Sequence, residues 1–99
     1  LFMGEAAKNM PDAPRVHYNY GILLQSLNRD MEAELEFRHA LAIEPENFDF
    51  LYALFDFYFK RSKFGEAKGL AEEMVRINPE LPAARDLLEM VFKTVNSRQ

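Results

Sequence analysis

The chain has 99 residues, of which 48% are hydrophobic, and a formal net charge of −4. That length allows one domain at most, and the hydrophobic content is typical of a globular protein rather than a disordered one. The acidic balance argues against nucleic acid as a partner, because nucleic-acid binders need a basic stripe that neutralises phosphates. The absence of cysteine excludes a disulfide framework and a thiolate metal site.

Neither a membrane span nor a targeting segment is visible in the sequence. No apolar run approaches the roughly 18 residues that a bilayer-spanning helix needs, so we expect no membrane insertion. The chain opens on Leu1 without a recognisable signal or transit peptide, and its first residues already have helical spacing. We therefore interpret the chain as a soluble piece of a longer protein, with cytoplasm and periplasm both open as its compartment.

The first predicted element is a helix over residues 1–10. Phe2, Met3, Ala6 and Met10 recur there at helical spacing, and Pro11 ends the pattern. With no helix before it to cover Phe2 and Met3, its apolar face is a candidate surface for self-association.

A helical hairpin is predicted over residues 14–47. Pro14 suits the first turn of a helix, because its missing N–H has no partner to lose there. Asn28 follows the first apolar-periodic run and tolerates the left-handed conformation that ends many helices. Phe37 and Ala40 belong to the second run, whose charged residues form a solvent-facing side, and Pro45 closes it.

Residues 48–81 predict a second hairpin that is richer in aromatic side chains. Its first helix is apolar almost all round, from Phe48 to Phe59, which is typical of a buried helix. Its second helix ends at Pro79. A last helix over residues 82–96 has one apolar and one charged face, as a helix that caps an array requires for solubility.

The two hairpins repeat one plan, in which Phe48 of the second takes the place of Pro14 in the first. Aligned with that offset, they match at Tyr18/Tyr52, Glu32/Glu66, Ala33/Ala67, Ile43/Ile77, Pro45/Pro79 and Glu46/Glu80. A period of about 34 residues with two helices in each unit is the period of the tetratricopeptide repeat.

The chain resembles the tetratricopeptide repeat (TPR) family over essentially its whole length. The resemblance is carried by the family's small, aromatic and proline positions, which here are Gly21, Leu24, Tyr58, Ala33, Ala67, Phe37, Ala40, Pro45 and Pro79. It implies an all-α fold, a right-handed superhelical stack of antiparallel helix hairpins. Residues 1–10 are then the second helix of a truncated preceding repeat, residues 14–47 and 48–81 are two full repeats, and residues 82–96 are a C-terminal capping helix, all in one domain. A non-repeating helical bundle is the alternative architecture.

Two departures from the family pattern indicate a compensated exchange of side-chain size. The family has a small residue where the second repeat has Phe55, and an aromatic residue where that repeat has Ala71. In this fold the two positions lie across the same hairpin. We expect Gly21 to make room for Phe37 in the first repeat, and Phe55 to fill the space beside Ala71 in the second. Exchanges that conserve volume are well tolerated in protein cores.

No residue pattern predicts catalysis, a cofactor or a metal site, so we do not expect an enzyme. His17 and His39 lie far apart in the sequence on different predicted helices, whereas a zinc site takes closely spaced histidine or cysteine ligands. We interpret His17 as an interior residue with a hydrogen bond and His39 as a solvated one. Glu34 is two positions from both Glu32 and Glu36 and shares a helix face with neither, so the three carboxylates do not converge, which favours a solvated surface over a carboxylate site.

The resemblance also implies a concave groove lined by the first helix of each repeat, the surface on which such arrays bind extended peptides. Tyrosine and arginine, which are among the commonest interface anchors, occur in it. The alternative interpretation of the two tyrosines is that they cover the hairpin seams. By the family's register, the inward residues are Arg15, Tyr18, Asn19, Ile22, Gln25 and Ser26 in the first repeat, Asp49, Tyr52, Ala53, Asp56, Phe59 and Lys60 in the second, and Ala83, Asp86, Leu87, Met90 and Lys93 in the capping helix.

One subfamily is disfavoured as a match. Co-chaperone members of the TPR family hold the acidic C-terminal tails of heat-shock proteins in a clamp of lysines, arginine and asparagines. The matching positions here have other residues, namely Tyr18, Ile22, Ala53, Ala83 and Leu87. An acidic chaperone tail is therefore not an expected partner.

These observations lead to the hypothesis of a non-enzymatic interaction module or scaffold that binds a peptide or protein surface in its groove. The alternative hypothesis is an architectural segment that packs against neighbouring repeats or domains, or against another copy of the chain.

Overall fold

A computed structural model describes residues 13–97, and those residues form five helices and no strand. This confirms the predicted all-α class. The predicted helix over residues 1–10, with Phe2 and Met3, lies outside the described residues. The helices are α1 (Pro14–Ser26), α2 (Asp30–Ile43), α3 (Phe48–Lys60), α4 (Phe64–Ile77) and α5 (Pro82–Ser97).

The bounds of the helices recur with the period seen in the sequence. Helices α1 and α3 each have 13 residues, and their first residues, Pro14 and Phe48, are equivalent in the repeat. Helices α2 and α4 each have 14 residues, and their last residues, Ile43 and Ile77, are equivalent in the same way. The two prolines expected to close the second helices lie just beyond those ends, at positions 45 and 79.

The first helix of each pair ends in the same left-handed turn. Asn28 has φ 62°, as its sequence position predicted, and Ser62, the equivalent residue of the second repeat, has φ 61°. Each turn satisfies two carbonyl groups of the last helical turn, which is the Schellman arrangement. The backbone N–H groups donate from Asn28 to Gln25 (3.0 Å), from Arg29 to Leu24 (2.9 Å), from Ser62 to Phe59 (3.0 Å) and from Lys63 to Tyr58 (2.9 Å).

Pro14, as expected, and Asn47 stabilise the starts of two helices. Pro14 occupies the first turn of α1, where no intrahelical N–H bond is lost. Asn47 precedes α3, and its side-chain Oδ1 accepts a hydrogen bond from the Phe50 N–H at 3.2 Å. The Asn47 amide also donates to Glu44 Oε1 at 2.8 Å, so the side chain is held in the capping position.

The chain divides into two compact units, Leu1–Phe50 and Leu51–Gln99. In the first unit α1 packs against α2, and the short turn between them makes the pair antiparallel. A Cβ atom at Gly21 would lie 2.7 Å from Cε1 of Phe37, so the ring occupies the space that any side chain there would need. The expectation that Gly21 makes room for Phe37 is therefore confirmed. The other buried apolar residues in the described part of this unit are Leu24, Ala33, Ala40 and Phe50.

In the second unit α4 packs against α5, and α3 contributes most of the buried aromatic side chains. Phe55 and Ala71 are both buried, as the size exchange requires; their direct contact stays a prediction. The Phe55 ring stacks on the rings of Tyr52 and Phe59, with centroids 6.4 and 5.7 Å apart. The other buried apolar residues are Leu51, Leu54, Phe57, Tyr58, Ala67, Met74, Ala84 and Val91.

Replacing Gly21 with alanine tests the close approach of α1 and α2. We expect Gly21→Ala to lower the free energy of unfolding by about 1–2 kcal/mol, because overpacking outweighs the better helix propensity of alanine. The matched control is Gly69→Ala in α4, where nothing lies within 4 Å of an added Cβ. Gly69→Ala should raise stability by up to about 1 kcal/mol in the same denaturant titration. A Gly21→Ala variant as stable as the parent would contradict the packing.

The left-handed turns give a second matched pair of variants. Ser62→Gly should stabilise the protein by about 0.5–1 kcal/mol, because serine has a steric penalty at positive φ that glycine does not. Asn28→Gly should change stability less, since asparagine tolerates that conformation better than serine. Thermal unfolding of the two variants measures the difference, and a larger gain at position 28 than at position 62 would speak against this explanation.

Candidate functional site

In the first unit, the groove residues predicted on α1 share one face of that helix. Arg15, Asn19 and Ile22 are exposed, and the Ile22 side chain keeps 44% of its surface accessible. Tyr18 and Gln25 are partly buried. Their spacing of three or four residues places all five on one side of the helix.

Three of the predicted groove residues meet in a cluster around Arg15. The guanidinium lies 5.0 Å from the ring centroid of Tyr18 and 5.2 Å from that of Phe50, and it forms an ion pair with Asp49 at 3.5 Å. The rings of Tyr18 and Phe50 are 5.1 Å apart. Tyr18 is therefore held by packing within the first unit, as the seam interpretation expects, while it still borders the exposed face of α1.

In the second unit, the predicted residues on α3 form a second partly exposed face. Tyr52 keeps 50% of its surface accessible although its ring stacks on Phe55. Lys60 Nζ lies 3.0 Å from Asp56 Oδ2, one helical turn away. Phe59 is partly buried, and its ring also stacks on that of Phe55. This face therefore offers an aromatic surface beside an ion pair.

Charged residues on both faces occur in pairs of opposite sign. Arg15 interacts with Asp49, and Lys60 interacts with Asp56. Exposed ion pairs of this kind contribute little stability. The two charges of each pair nevertheless offset each other, so these faces present little net charge to a partner. The described charges of Arg15, Asp49, Asp56 and Lys60 therefore cancel in two local pairs.

The groove residues predicted on α5 are mostly exposed. Ala83, Asp86 and Lys93 are accessible, Met90 is 38% accessible, and Leu87 is partly buried. They recur at helical spacing along one side of the helix. Neither Ala83 nor Leu87 supplies a cation of the kind that an acidic-tail clamp uses.

A cluster of two imidazoles and a carboxylate joins α1 to α2. His17 Nδ1 lies 2.7 Å from Glu36 Oε1, and the rings of His17 and His39 meet edge to face with centroids 5.2 Å apart. His17 is buried and His39 is exposed, so both expectations for the histidines are confirmed. An ionised Glu36 carboxylate can only accept hydrogen bonds, and in that state His17 donates to it from Nδ1–H.

The spacing of the two histidines along the chain does not indicate this cluster, because they belong to different helices. The sequence does indicate part of the cluster, because Glu36 and His39 are three positions apart and therefore lie on one face of α2. An antiparallel hairpin then brings a residue near the start of α1 opposite the later part of α2. His17 is that residue.

The second unit contains an open apolar cavity of about 470 Å³ between α4 and α5. Lys68 is a charged residue at its wall, and its Nζ lies 5.6 Å from the Phe92 ring centroid and 3.7 Å from Glu72 Oε2. A ligand pocket usually combines apolar walls with several convergent polar groups, and the described lining of this cavity is largely apolar. The lining residues are Ser62, Phe64, Gly65, Lys68, Val91, Phe92 and Val95.

No protein-family model matches the chain, and a comparison with curated proteins gives no significant match. The likeness to TPR proteins consequently depends on the residues and spacings described above. Among residues 13–97, no helix is both long enough and apolar enough to cross a membrane.

Proposed function

We propose that the chain is a non-enzymatic protein-interaction module, a TPR-like α-solenoid of about two full repeats plus flanking helices. In the proposed arrangement the hairpins form a right-handed superhelical stack, and a peptide or protein surface binds along the faces of the first helices. Support for the repeat architecture comes from the helix bounds and the left-handed turns, all of which recur with the period of the sequence repeat.

The observation that carries the binding proposal is the exposure of large apolar side chains on faces whose charges are paired. Ile22 and Tyr52 are about half accessible, and both belong to the predicted groove. Tyrosine is a frequent interface anchor, because its rigid ring buries much apolar area and its hydroxyl still forms a hydrogen bond. A partner that suits these faces is an extended peptide of low net charge with apolar or aromatic side chains.

Selection from a phage-displayed random peptide library, followed by fluorescence anisotropy with the selected peptide, tests this proposal. We expect Tyr52→Ala to weaken binding by about tenfold or more, in the range of an interface anchor. Ile22→Ala should weaken it less. The matched control is Leu23→Ala, which removes the neighbouring side chain of nearly equal exposure, 41%, from outside the predicted face.

Two results would contradict the binding proposal. One is a library that yields no saturable binder. The other is a selected peptide whose affinity is unchanged by both Tyr52→Ala and Ile22→Ala, or is reduced as much by Leu23→Ala. Circular dichroism of each variant separates a binding loss from a loss of helix.

A specific observation also favours the alternative, an architectural segment. The first unit exposes large apolar residues outside the predicted groove, and Met31 is 86% accessible. Met31 and Leu35 are four positions apart and share a face of α2, and monomeric proteins seldom leave contiguous apolar surface uncovered, which favours packing against a neighbouring repeat, a domain or another copy. These residues include Leu23, Leu27, Met31 and Leu35.

The architectural alternative predicts concentration-dependent self-association of the chain in sedimentation velocity. Met31→Glu together with Leu35→Glu should abolish it, because two buried charges would oppose an apolar contact. The matched control Ile22→Glu places the same charge on the predicted groove face and should leave the association intact. A chain that stays monomeric over the whole concentration range would reject self-association, as would an association that the double variant does not alter.

A further inference from the structure

The cluster of His17, Glu36 and His39 brings three metal-ligating side chains together across one hairpin. Each residue offers one ligand atom, and the three atoms lie within 4.8 Å of one another. Glu36 and His39 project from the same face of α2, and His17 projects from α1. The cluster lies wholly within the first unit.

This donor set has a defined chemistry. Two imidazole nitrogens and one carboxylate oxygen are the protein ligands of a well-known class of three-ligand zinc sites, in which water completes the coordination. The same combination also binds other divalent first-row ions, whereas magnesium and calcium prefer all-oxygen sites. We propose that His17, Glu36 and His39 form a binding site for a divalent transition-metal ion of the zinc class. The proposal does not depend on the peptide-binding function.

The distances require only small side-chain movements. Metal–ligand bonds of about 2.0–2.2 Å in a tetrahedral site place neighbouring ligand atoms about 3.3 Å apart. His17 Nδ1 and Glu36 Oε1, now 2.7 Å apart, would separate by roughly half an ångström as the metal replaces the bridging proton. The widest pair, at most 4.8 Å, would close by about 1.5 Å. The His39 side chain is exposed and supplies most of that movement.

The surroundings suit an ion that keeps water ligands. The side chains of His17 and Glu36 are only 9% and 15% exposed, so the inner part of the cluster is held in place by the hairpin. The exposed His39 leaves the outer side open to solvent, which provides an entry path for the ion. The His17–Glu36 hydrogen bond joins the two more buried groups of the cluster.

Proton balance is simple in this site. With a neutral His17 ring, binding through Nδ1 releases the proton that now points at Glu36, and Nε2 takes up a proton from solvent. The ring thereby changes tautomer without net proton release. The bound ion would tie the start of α1 to the later part of α2.

Isothermal titration of Zn²⁺ into the chain, free of any histidine tag, tests the site. We expect saturable binding of one ion per chain, and affinity at least about tenfold weaker in His39→Ala and in Glu36→Gln. His39 is exposed, so its removal leaves the fold intact, which circular dichroism checks. The matched control is Glu32→Gln, which neutralises a carboxylate of the same helix outside the cluster and should leave the affinity unchanged.

A second readout separates metal ligation from a purely structural hydrogen bond. Co²⁺ bound by the cluster should give visible ligand-field bands that disappear in His39→Ala, and Zn²⁺ should raise the unfolding temperature of the parent but not of that variant. The absence of saturable Zn²⁺ binding would overturn the proposal. So would a His39→Ala variant with the parent's affinity, or an equal loss in Glu32→Gln and Glu36→Gln.

Discussion

The contact between the Phe37 ring and the backbone of Gly21 sets the distance between α1 and α2. A side chain as small as a methyl group at position 21 would clash with that ring, and Phe37 is fully buried and has little room to move. The first unit depends on this approach in two ways. It lets a large aromatic ring fill the hairpin seam, and it brings His17 within hydrogen-bond distance of Glu36.

Much of the fold could be predicted from the sequence because local signals and the repeat agree. Proline at positions 14, 45 and 79 and asparagine at position 28 mark helix ends through backbone chemistry that acts on single residues. The role of Ser62 was harder to foresee, because serine has no special tolerance for positive φ. Only its equivalence to Asn28 in the repeat pointed to the same turn there.

The candidate sites could be predicted only in part. The resemblance to the TPR pattern predicted which residues share a helix face, and two accessible apolar residues, Ile22 and Tyr52, are among them. It did not indicate that Arg15 pairs with Asp49, because that contact depends on the rotation and tilt of α1 and α3. The cluster of His17, Glu36 and His39 likewise depends on how closely α1 approaches α2. Contacts between helices of this kind arise from packing, and the preferences of single residues do not predict them.

The close approach of α1 and α2 also has a consequence for how the chain folds. Gly21 and Phe37, like His17 and His39, belong to consecutive helices joined by a short turn, so the hairpin closes only a small loop of chain. Loop-closure entropy is small at such separations, and proteins dominated by local contacts fold in microseconds to milliseconds. The seam around Phe37 is therefore suited to be an early nucleus, a hydrophobic contact that forms before any pairing between distant parts of the chain is needed.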